Sequence, residues 1–242
     1  MQRYFANIID NKVILDDGDV HHLLNVMRAK EGTEIEIVSN NKAYLCEVKT
    51  TNPLGIDIIK PLETDPELVN KVTLFFALAK GDKIDFVIQK ATEIGVSRIV
   101  LFTCQRCVVD FSSKDINKKF DRYKKIAKEA SEQSHRVSIP EILGVYKLKE
   151  IDNLLCDLNY VAYEKLSNSS DFINEMKVKN SASISIFIGP EGGFEESEIS
   201  LLESKGVIPV TLGKRILRTE TAAVNILSVL SYLIEKWDYL NY

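Results

Sequence analysis

The pattern of hydrophobic and polar positions changes near residue 70. Up to that point, short apolar or alternating segments are separated by turn residues, which predicts a small β-rich unit. Beyond it, continuous apolar runs of strand length alternate with stretches of helical periodicity, as in an α/β domain with a mostly parallel sheet. The segment 61–70 between them combines prolines with acidic residues and has no core. We therefore place the domain boundary there and predict domains at 1–68 and 72–242.

The N-terminal unit shows strand patterning around one helical stretch. The predicted strands are KVILDD, TEIEIVS, KAYLCEVKTT and GIDIIKPL, with turns at Asp17-Gly18, Asn40-Asn41 and 52–55. Residues 19–32 place Leu23, Leu24 and Met27 at helical spacing, and Gly32 follows as a stop signal. We expect a short helix that buries this apolar stripe against a small barrel.

The C-terminal domain alternates strands with helices. The strands predicted are VTLFFALAK, SRIVLFT, NYVAYEK, ISIFIG and VIPVTLG, and the helices are KIDFVIQKATEIG, KFDRYKKIAKEASEQS, ESEISLLESKG and ETAAVNILSVLSYLIEKW. The continuous apolar runs indicate strands that are buried on both faces. Ligands of such sheets bind at the carboxyl ends of the strands, so the loops that follow the strands are the place to look for function.

The loop 189–194, GPEGGF, follows a predicted buried strand and precedes a helix. Gly192 and Gly193 permit positive φ and a close approach of a ligand to the backbone. Acidic residues load the next helical turn and no Lys-Ser or Lys-Thr follows, so the loop is not a phosphate-binding loop. It suits an electroneutral or cationic ligand better, although glycines that serve turn geometry alone remain an equal alternative.

The loop 211–222, TLGKRILRTETA, follows the next predicted strand. Ile216 and Leu217 present apolar side chains where no core requires them, and Thr219 can cap the following helix. Three cations surround the same turn, and either all are solvated or one contacts an anion or RNA. Arg218, between the apolar pair and the cap, is the one we favour for function.

Composition narrows the class of protein. The 242 residues suit two domains, and four cysteines in a chain of this size do not make a disulfide framework. No apolar run reaches the length of a membrane span, and the N-terminus lacks the apolar core of a signal peptide. We expect a cytoplasmic protein without a membrane partner.

Charge is distributed unevenly along the chain. Counting Lys and Arg against Asp and Glu gives −5 for residues 1–70, +6 for 71–136 and −5 for 137–242, which sum to the net −4. The basic middle is either a phosphate-contacting face or a solvated helix. The Cys104-Gln-Arg-Cys107 motif has no second CxxC, so structural or incidental thiols are favoured over a metal site.

Taken together, these segments resemble the RsmE family of ribosomal RNA methyltransferases, in the SPOUT (trefoil-knotted) superfamily. The resemblance runs nearly end to end and is carried by residues 19–28 (DVHHLLNVMR), 89–95 (QKATEIG), 129–134 (EASEQS) with Arg136 and Pro140, 188–193 (IGPEGG) and 212–222 (LGKRILRTETA). It implies an N-terminal PUA-like β-barrel that helps grip RNA, and a C-terminal SPOUT domain with a deep trefoil knot. It also implies a homodimer that uses S-adenosylmethionine to methylate N3 of a uridine in 16S RNA of the small subunit.

The resemblance assigns roles residue by residue. Arg218 is the expected catalytic residue, which orients the uracil or stabilises its developing negative charge. RNA contacts are expected from Arg3, Arg28, Arg136 and the basic region 114–136. The cofactor-binding residues are expected to be Tyr163, Gly189, Glu191, Gly192, Leu212, Gly213, Ile216 and Leu217, in which Ile216 and Leu217 sandwich the adenine.

Two alternatives stay open from the residues alone. One is a SPOUT methyltransferase that acts on another RNA or another atom. The other is a non-catalytic RNA-binding protein of ribosome assembly, which would not bind S-adenosylmethionine. The sequence does not identify a general base for removal of the N3 proton.

Overall fold

The computed structural model describes residues 1–108, 116–165 and 182–240. The chain divides into two compact units, one of residues 1–67 with 128–139 and the other of residues 68–127 with 140–242. The split after residue 67 falls within the proline-rich acidic segment. The return of 128–139 to the N-terminal unit is a feature that residue patterns did not predict.

The N-terminal unit is built from a four-stranded sheet and a two-stranded hairpin. The sheet order is β1-β4-β5-β6, with β1 parallel to β4 and the other pairs antiparallel, while β2 pairs with β3. Asn40 and Asn41 both have positive φ at the β4–β5 hairpin, which is the two-residue turn predicted there. The strands are β1 (Arg3–Phe5), β2 (Asn7–Ile9), β3 (Lys12–Ile14), β4 (Glu34–Ser39), β5 (Lys42–Thr51) and β6 (Leu54–Leu62).

The helical stretch of this unit is shorter than predicted. Helix α1 spans Asp17–His21, with the Asp16 side chain accepting the N–H of Asp19, and one π-helical turn, His22–Val26, follows. Asp17-Gly18 is thus the start of a helix rather than a turn, because Asp16 satisfies its free N–H groups. The helical path ends before Arg28, which has φ +53°, so Gly32 is not the stop signal. Leu23 is buried in the core of the unit, whereas Met27 is exposed.

The C-terminal unit is a six-stranded, fully parallel sheet in the order β12-β10-β11-β7-β8-β9. Its strands are β7 (Val72–Ala77), β8 (Arg98–Thr103), β9 (Glu141–Lys147), β10 (Leu158–Ala162), β11 (Ile184–Ile188) and β12 (Ile208–Val210). Its helices are α2 (Lys83–Glu93), α3 (Ile116–Gln133), α4 (Glu196–Ser204) and α5 (Thr219–Leu240), although the end of α3 belongs to the other unit. The predicted α/β class with a parallel sheet is confirmed.

Both faces of this sheet are covered by apolar side chains. Every residue of β7 and of β11 is buried, as the continuous apolar runs predicted. On one face Phe75 and Phe187 stack with ring centroids 4.1 Å apart, and α2 and α5 pack against the other. Burial of each such side chain contributes about 1.5–3 kcal/mol, so the central strands hold the loops at their ends in place. In the described residues, the helices lack the length and apolarity needed to cross a membrane.

Candidate active site

The carboxyl ends of three adjacent strands surround one cavity of the C-terminal unit. Because β12, β10 and β11 are neighbours, the segments that follow them meet at one edge of the sheet, although they are far apart in the sequence. The cavity holds about 580 Å³. That volume falls in the range of roughly 300–1,000 Å³ that is typical of small-molecule sites.

All the residues predicted to bind the cofactor line this cavity, and so does the predicted catalytic Arg218. They are Tyr163, Gly189, Glu191, Gly192, Leu212, Gly213, Ile216 and Leu217. The structure therefore brings both loops and the end of the NYVAY strand to one place. Their roles in binding and catalysis stay predictions at this point.

The glycines of the loop 189–194 are required by close contacts. A Cβ on Gly189 would lie 2.9 Å from the ring of Phe194, which is buried and stacked parallel to Phe102. A Cβ on Gly192 would lie 3.0 Å from Cβ of Arg106. Gly193 has φ +69° and its N–H donates to the carbonyl of Pro190 at 2.9 Å, which closes a tight turn. The loop thus presents backbone groups to the cavity at positions where side chains do not fit.

Lys83, in the first turn of α2, also lines the cavity and joins two of its walls. Its Nζ donates to Glu191 at 2.7 Å and lies 3.7 Å from a carboxylate oxygen of Glu220. Burial alone would raise the pKa of Glu191, but the hydrogen bond and the charge of Lys83, together with backbone N–H donors, outweigh it and the pKa lies below its ordinary value. Glu191 is therefore an ionised carboxylate that is held by a lysine.

The loop between β12 and α5 combines exposed apolar and cationic side chains. Ile216 is 86% exposed although it lines the cavity, so its apolar surface is available to a flat ligand. Arg218 is exposed and forms no ion pair with any residue that the structure describes. Helix α5 begins at Thr219 itself, and the Thr219 hydroxyl donates to the carbonyl of Gly189. Thr219 therefore ties the two loops together rather than acting as the predicted cap.

The CxxC turn braces the outer side of the glycine loop. Arg106 donates from Nε to Glu195 and from Nη1 to the carbonyl of Gly192, both at 2.7 Å. The N–H of Gln105 donates to the carboxylate of Glu198, also at 2.7 Å. A turn that sequence reasoning set aside as structural or incidental thus contacts one wall of the cavity.

Sequence reasoning missed Lys83 and Arg106 as residues that shape the site, and it gave Thr219 only the role of a helix cap. Lys83 and Arg106 are ordinary cations in the sequence, and their partners lie about a hundred residues away. Only the CxxC spacing marked the neighbourhood of Arg106. Long-range contacts of this kind leave no local pattern in the chain.

The predicted RNA contacts of Arg3 and Arg136 do not fit their surroundings. Each residue is 2% exposed. Arg3 pairs with Glu36 at 2.7 Å and donates to the carbonyl oxygens of His135 and Arg136, while Arg136 pairs with Glu67 at 2.5 Å. Both guanidinium groups are thus buried and paired within the N-terminal unit, which favours a structural role over the predicted contact with RNA. Arg28 is exposed, in agreement with a surface role.

The basic helix α3 offers exposed cations in the C-terminal unit. Four of them lie on its exposed surface, namely Lys118, Arg122, Lys124 and Lys125. Positions 114 and 115 of the predicted basic region lie outside the described residues. Lys128, further along the helix, instead donates to Asp16 at 2.8 Å and to Asp19 at 2.6 Å within the N-terminal unit. The exposed cations of this helix therefore lie in its first part, where Arg122 also pairs with Asp85.

No group of three or more His, Cys, Asp or Glu side chains suited to a metal ion occurs within the described ranges. Cys104 and Cys107 lie next to one another, but no further ligand joins them there.

Two family models match the chain in order. The model described as RNA methyltransferase PUA domain matches residues 15–60, and the model described as RNA methyltransferase domain matches residues 66–231. Relatives named ribosomal RNA small subunit methyltransferase E are similar over nearly the whole length. The Bacillus subtilis protein is 34% identical over 97% of this chain and 98% of its own, and the Mesomycoplasma hyopneumoniae protein is 36% identical over 94% and 98%.

Solved structures give the same picture. The ribosomal RNA small subunit methyltransferase E from Neisseria gonorrhoeae, bound to S-adenosyl methionine, matches with a TM-score of 0.85 and 28% identity over 96% of this chain and 98% of its own. A putative methyltransferase from Legionella pneumophila, in complex with the cofactor SAM, matches with a TM-score of 0.86 and 28% identity over 96% and 97%.

Proposed function

The chain belongs to the RNA methyltransferase family, among the methyltransferases E of the small ribosomal subunit, and from this premise we propose that it methylates N3 of a uridine in 16S RNA. It is an S-adenosylmethionine-dependent rRNA methyltransferase. The observation that carries the proposal is the single cavity at the carboxyl ends of β10, β11 and β12, lined by all the residues expected to hold the cofactor. The relatives with S-adenosyl methionine bound support the same cofactor here.

The cavity fits S-adenosylmethionine in chemistry as well as in size. Gly189 and Gly192 keep the loop free of side chains where a Cβ would collide with Phe194 or Arg106, so a flat group such as an adenine can approach the loop backbone closely. Ile216 and Leu217 supply apolar surface for its faces. With Lys83 neutralising Glu191, the walls carry no excess of anionic charge against a ligand that bears a carboxylate and a sulfonium.

Arg218 has the position and the charge for a role in the transfer. When bound, S-adenosylmethionine supplies an electrophilic methyl group. Loss of the N3 proton leaves negative charge on the uracil, and a guanidinium that donates to that charge stabilises the transition state. Arg218 lines the cavity and forms no ion pair in the described part of the chain, so its guanidinium is free for this role. The same side chain orients the base for in-line attack.

The proposed RNA contacts come from exposed cations and not from the two buried arginines. We assign this role to Arg28 in the N-terminal unit and to the exposed cations of α3, in place of Arg3 and Arg136. Neutralisation of phosphates by Lys and Arg supplies most of the affinity in such complexes. The full assembly is a homodimer that acts on the small ribosomal subunit, and its substrate places it in the cytoplasm.

Two substitutions separate the proposed roles in the 212–218 loop. Leu217→Asp places a charge on the apolar wall and is expected to abolish measurable S-adenosylmethionine binding in calorimetry. Arg218→Ala is expected to retain binding within about threefold but to lower turnover at least about a hundredfold, the usual loss when a donor to developing charge is removed. Lys214→Ala is the matched control, since Lys214 is an exposed cation of the same loop that does not line the cavity. Normal methylation by Arg218→Ala would rule out its catalytic role.

The modified atom is tested separately in cells. Mass spectrometry of 16S RNA nucleosides from a strain that lacks this gene is expected to show no N3-methyluridine, and the signal should return when the gene is restored. A methyluridine signal that persists in the deletion strain would overturn the assignment of N3. Failure of the purified protein to bind S-adenosylmethionine would instead favour an RNA-binding protein without chemistry.

A further inference from the structure

The turn 104–107 places two thiols side by side. The Sγ atoms of Cys104 and Cys107 are 3.5 Å apart, and the backbone N–H of Cys104 donates to Sγ of Cys107 at 3.3 Å. The N–H of Cys107 donates to the carbonyl of Cys104 at 3.0 Å, so the four residues form a β-turn. Both side chains are partly exposed. The pair is therefore within reach of a small reagent from solvent.

The backbone of this turn is compatible with a disulfide. The first and last Cα atoms of a β-turn lie within about 7 Å of each other, and disulfides join Cα atoms that are about 4.4–6.8 Å apart. An S–S bond of about 2.05 Å requires the two sulfurs to approach by about 1.5 Å, a distance that rotation of the side chains supplies. The turn does not have to open for the bond to form.

The two thiols differ in reactivity. The hydrogen bond from the Cys104 thiol, helped by the Cys104 N–H, lowers the pKa of Cys107 to about 7. The same hydrogen bond, together with burial, raises the pKa of Cys104. Glu198 faces both thiols and acts against ionisation of each. Cys107 is thus the nucleophile of the pair and Cys104 the resolving thiol, since it is the thiolate that attacks a disulfide.

The turn is coupled to the wall of the cofactor cavity through its two central residues. Arg106 holds the carbonyl of Gly192, which lines the cavity, and Gln105 holds Glu198 at the start of α4. The stem of Arg106 also contacts the position where Gly192 lacks a Cβ. Closing the disulfide moves Cys107 Sγ away from the Cys104 N–H that it now accepts and restrains the turn without opening it. Because Gln105 and Arg106 make their bonds from this turn, the restraint reaches the glycine loop.

We propose that Cys104 and Cys107 are an oxidisable thiol pair whose disulfide lowers the affinity of the adjoining cavity for S-adenosylmethionine. The oxidant is a low-molecular-weight disulfide such as glutathione disulfide. The Cys107 thiolate attacks it and expels one glutathione thiolate. Cys104 then loses its proton, attacks Sγ of Cys107 and expels the second glutathione, so the pair gives up two electrons and two protons and the oxidant becomes two thiols. The effect on affinity rests on the proposed function, whereas formation of the disulfide does not.

The bond itself is tested by peptide mapping of the intact protein. Trypsin cuts after Arg98, Arg106 and Lys114, so it separates the two cysteines into peptides 99–106 and 107–114. After treatment with glutathione disulfide and blocking of free thiols, we expect these two peptides to remain joined and to separate on reduction. Cys46, which is fully buried, is the internal control and should stay a free thiol. Recovery of both peptides unlinked, under oxidation that modifies other thiols, would overturn the proposal.

The effect on the cavity is measured as the ratio of S-adenosylmethionine dissociation constants after and before oxidation. We expect the constant to rise about tenfold in the natural protein, equivalent to about 1.4 kcal/mol, and to recover on reduction. Cys107→Ser should lose this response, and Cys156→Ser, a change at another partly exposed cysteine, should keep it. For each variant, the dissociation constant after oxidation is compared with that of the same variant before oxidation.

The outcomes separate the two proposals. A joined peptide pair with an unchanged dissociation constant would overturn the coupling to the cavity. An equal response in Cys107→Ser would show that another thiol is responsible and would overturn the assignment to this pair. If the reduced protein bound no S-adenosylmethionine, the proposed function would fail, and the peptide map would still decide whether the disulfide forms.

Discussion

At the scale of single residues, position 189 requires glycine because of a neighbouring side chain and not because of its own backbone conformation. Its φ is not in the left-handed region, but a Cβ there would lie 2.9 Å from the buried ring of Phe194. That ring is stacked on Phe102 and has little freedom to move. The sequence predicted a special loop here, and the structure supplies the physical reason for one of its glycines.

We expect Gly189→Ala to cost about 1–3 kcal/mol of unfolding free energy, as for other overpacked sites, and to weaken S-adenosylmethionine binding. Gly144→Ala is the matched control, because Gly144 lies in strand β9 with open space around its Cα. That change should be neutral or stabilising by about 0.5–1 kcal/mol. Thermal unfolding and calorimetric titration measure the two effects. Equal melting temperatures for the two variants would show that the Phe194 contact is unimportant.

A second residue of note is Glu132, a buried carboxylate in the N-terminal unit. Burial first, and the nearby Asp19 second, raise its pKa from 4.5 to about 7, although Lys128 acts in the opposite direction. Between these two pH values the folded chain binds more protons at this site than the unfolded chain. The free energy of unfolding contributed by Glu132 therefore falls as the pH rises through this window.

Glu132→Gln removes this titration, because an amide keeps an acceptor for the N–H of Phe5 but carries no charge. We expect the variant to be more stable than the natural protein by about 1–2 kcal/mol at pH 8, and the difference to shrink towards pH 5.5. Denaturant unfolding across this range measures it. Glu129→Gln, at an exposed position of the same helix, is the control and should show no such trend. A difference that grew as the pH fell would contradict the assignment.

At the scale of elements, Lys83 connects the start of α2 with the glycine loop and the first turn of α5. Its hydrogen bond to Glu191 and its proximity to Glu220 bring charges from three elements together at the cavity. One oxygen of Glu220 is buried and has no hydrogen-bond partner in the described structure, so the lysine is the cation nearest to compensate it. We therefore regard Lys83 as a positioning residue for the cavity wall.

Lys83→Met is expected to raise the KM for S-adenosylmethionine about three- to tenfold with a smaller change in kcat, because the loop is loosened but Arg218 is kept. Losses of that size correspond to about 0.7–1.4 kcal/mol. Lys83→Arg should restore most of the affinity. Lys90→Met is the matched control, since Lys90 pairs with Glu93 within α2 at 2.8 Å and does not line the cavity. A kcat loss without a KM change would contradict a positioning role.

The elements that were predictable are those with a strong local signal. Strands β7, β8 and β11 are continuous apolar runs because both their faces are buried. Their alternation with helices along the chain indicates a parallel sheet. The convergence of the two loops followed from the rule that parallel strands end at one edge. By contrast, strand β9 (EILGVYK) went unpredicted because it is not an apolar run buried on both faces: six of its seven residues are partly or fully exposed.

The parts that could not be predicted depend on partners distant in sequence. An isolated arginine in the sequence gives no sign of whether it will face RNA or be buried. Arg3 is buried because Glu36 and two backbone carbonyls surround it, and Arg136 because Glu67 does. The resemblance to a family identified which residues matter, but the role of each depended on these contacts.

At the scale of the whole molecule, the chain enters the N-terminal unit twice. Residues 1–67 form most of it, and 128–139 return to it after the first part of the C-terminal unit. Within this unit the returning segment supplies Arg136 to Glu67, Lys128 to Asp19, and Val137 to a small apolar cluster with Val38. The N-terminal unit is therefore not complete in any single stretch of sequence.

We expect a protein that ends at residue 67 to lack cooperative folding. Its Glu67 would lose Arg136 and its Asp19 would lose Lys128, and removal of one partner from a buried ion pair costs about 3–5 kcal/mol. That is comparable with the entire stability of a small domain. A second protein, in which a flexible Gly-Ser linker joins residue 67 to residues 128–139, restores these partners and should melt cooperatively in circular dichroism. The same linked protein with Arg136→Ala tests the ion pair alone and should melt at a lower temperature. If the shorter protein melted as sharply as the linked one, the returning segment would not be part of the folding unit, and the N-terminal unit would end where its first stretch of sequence ends.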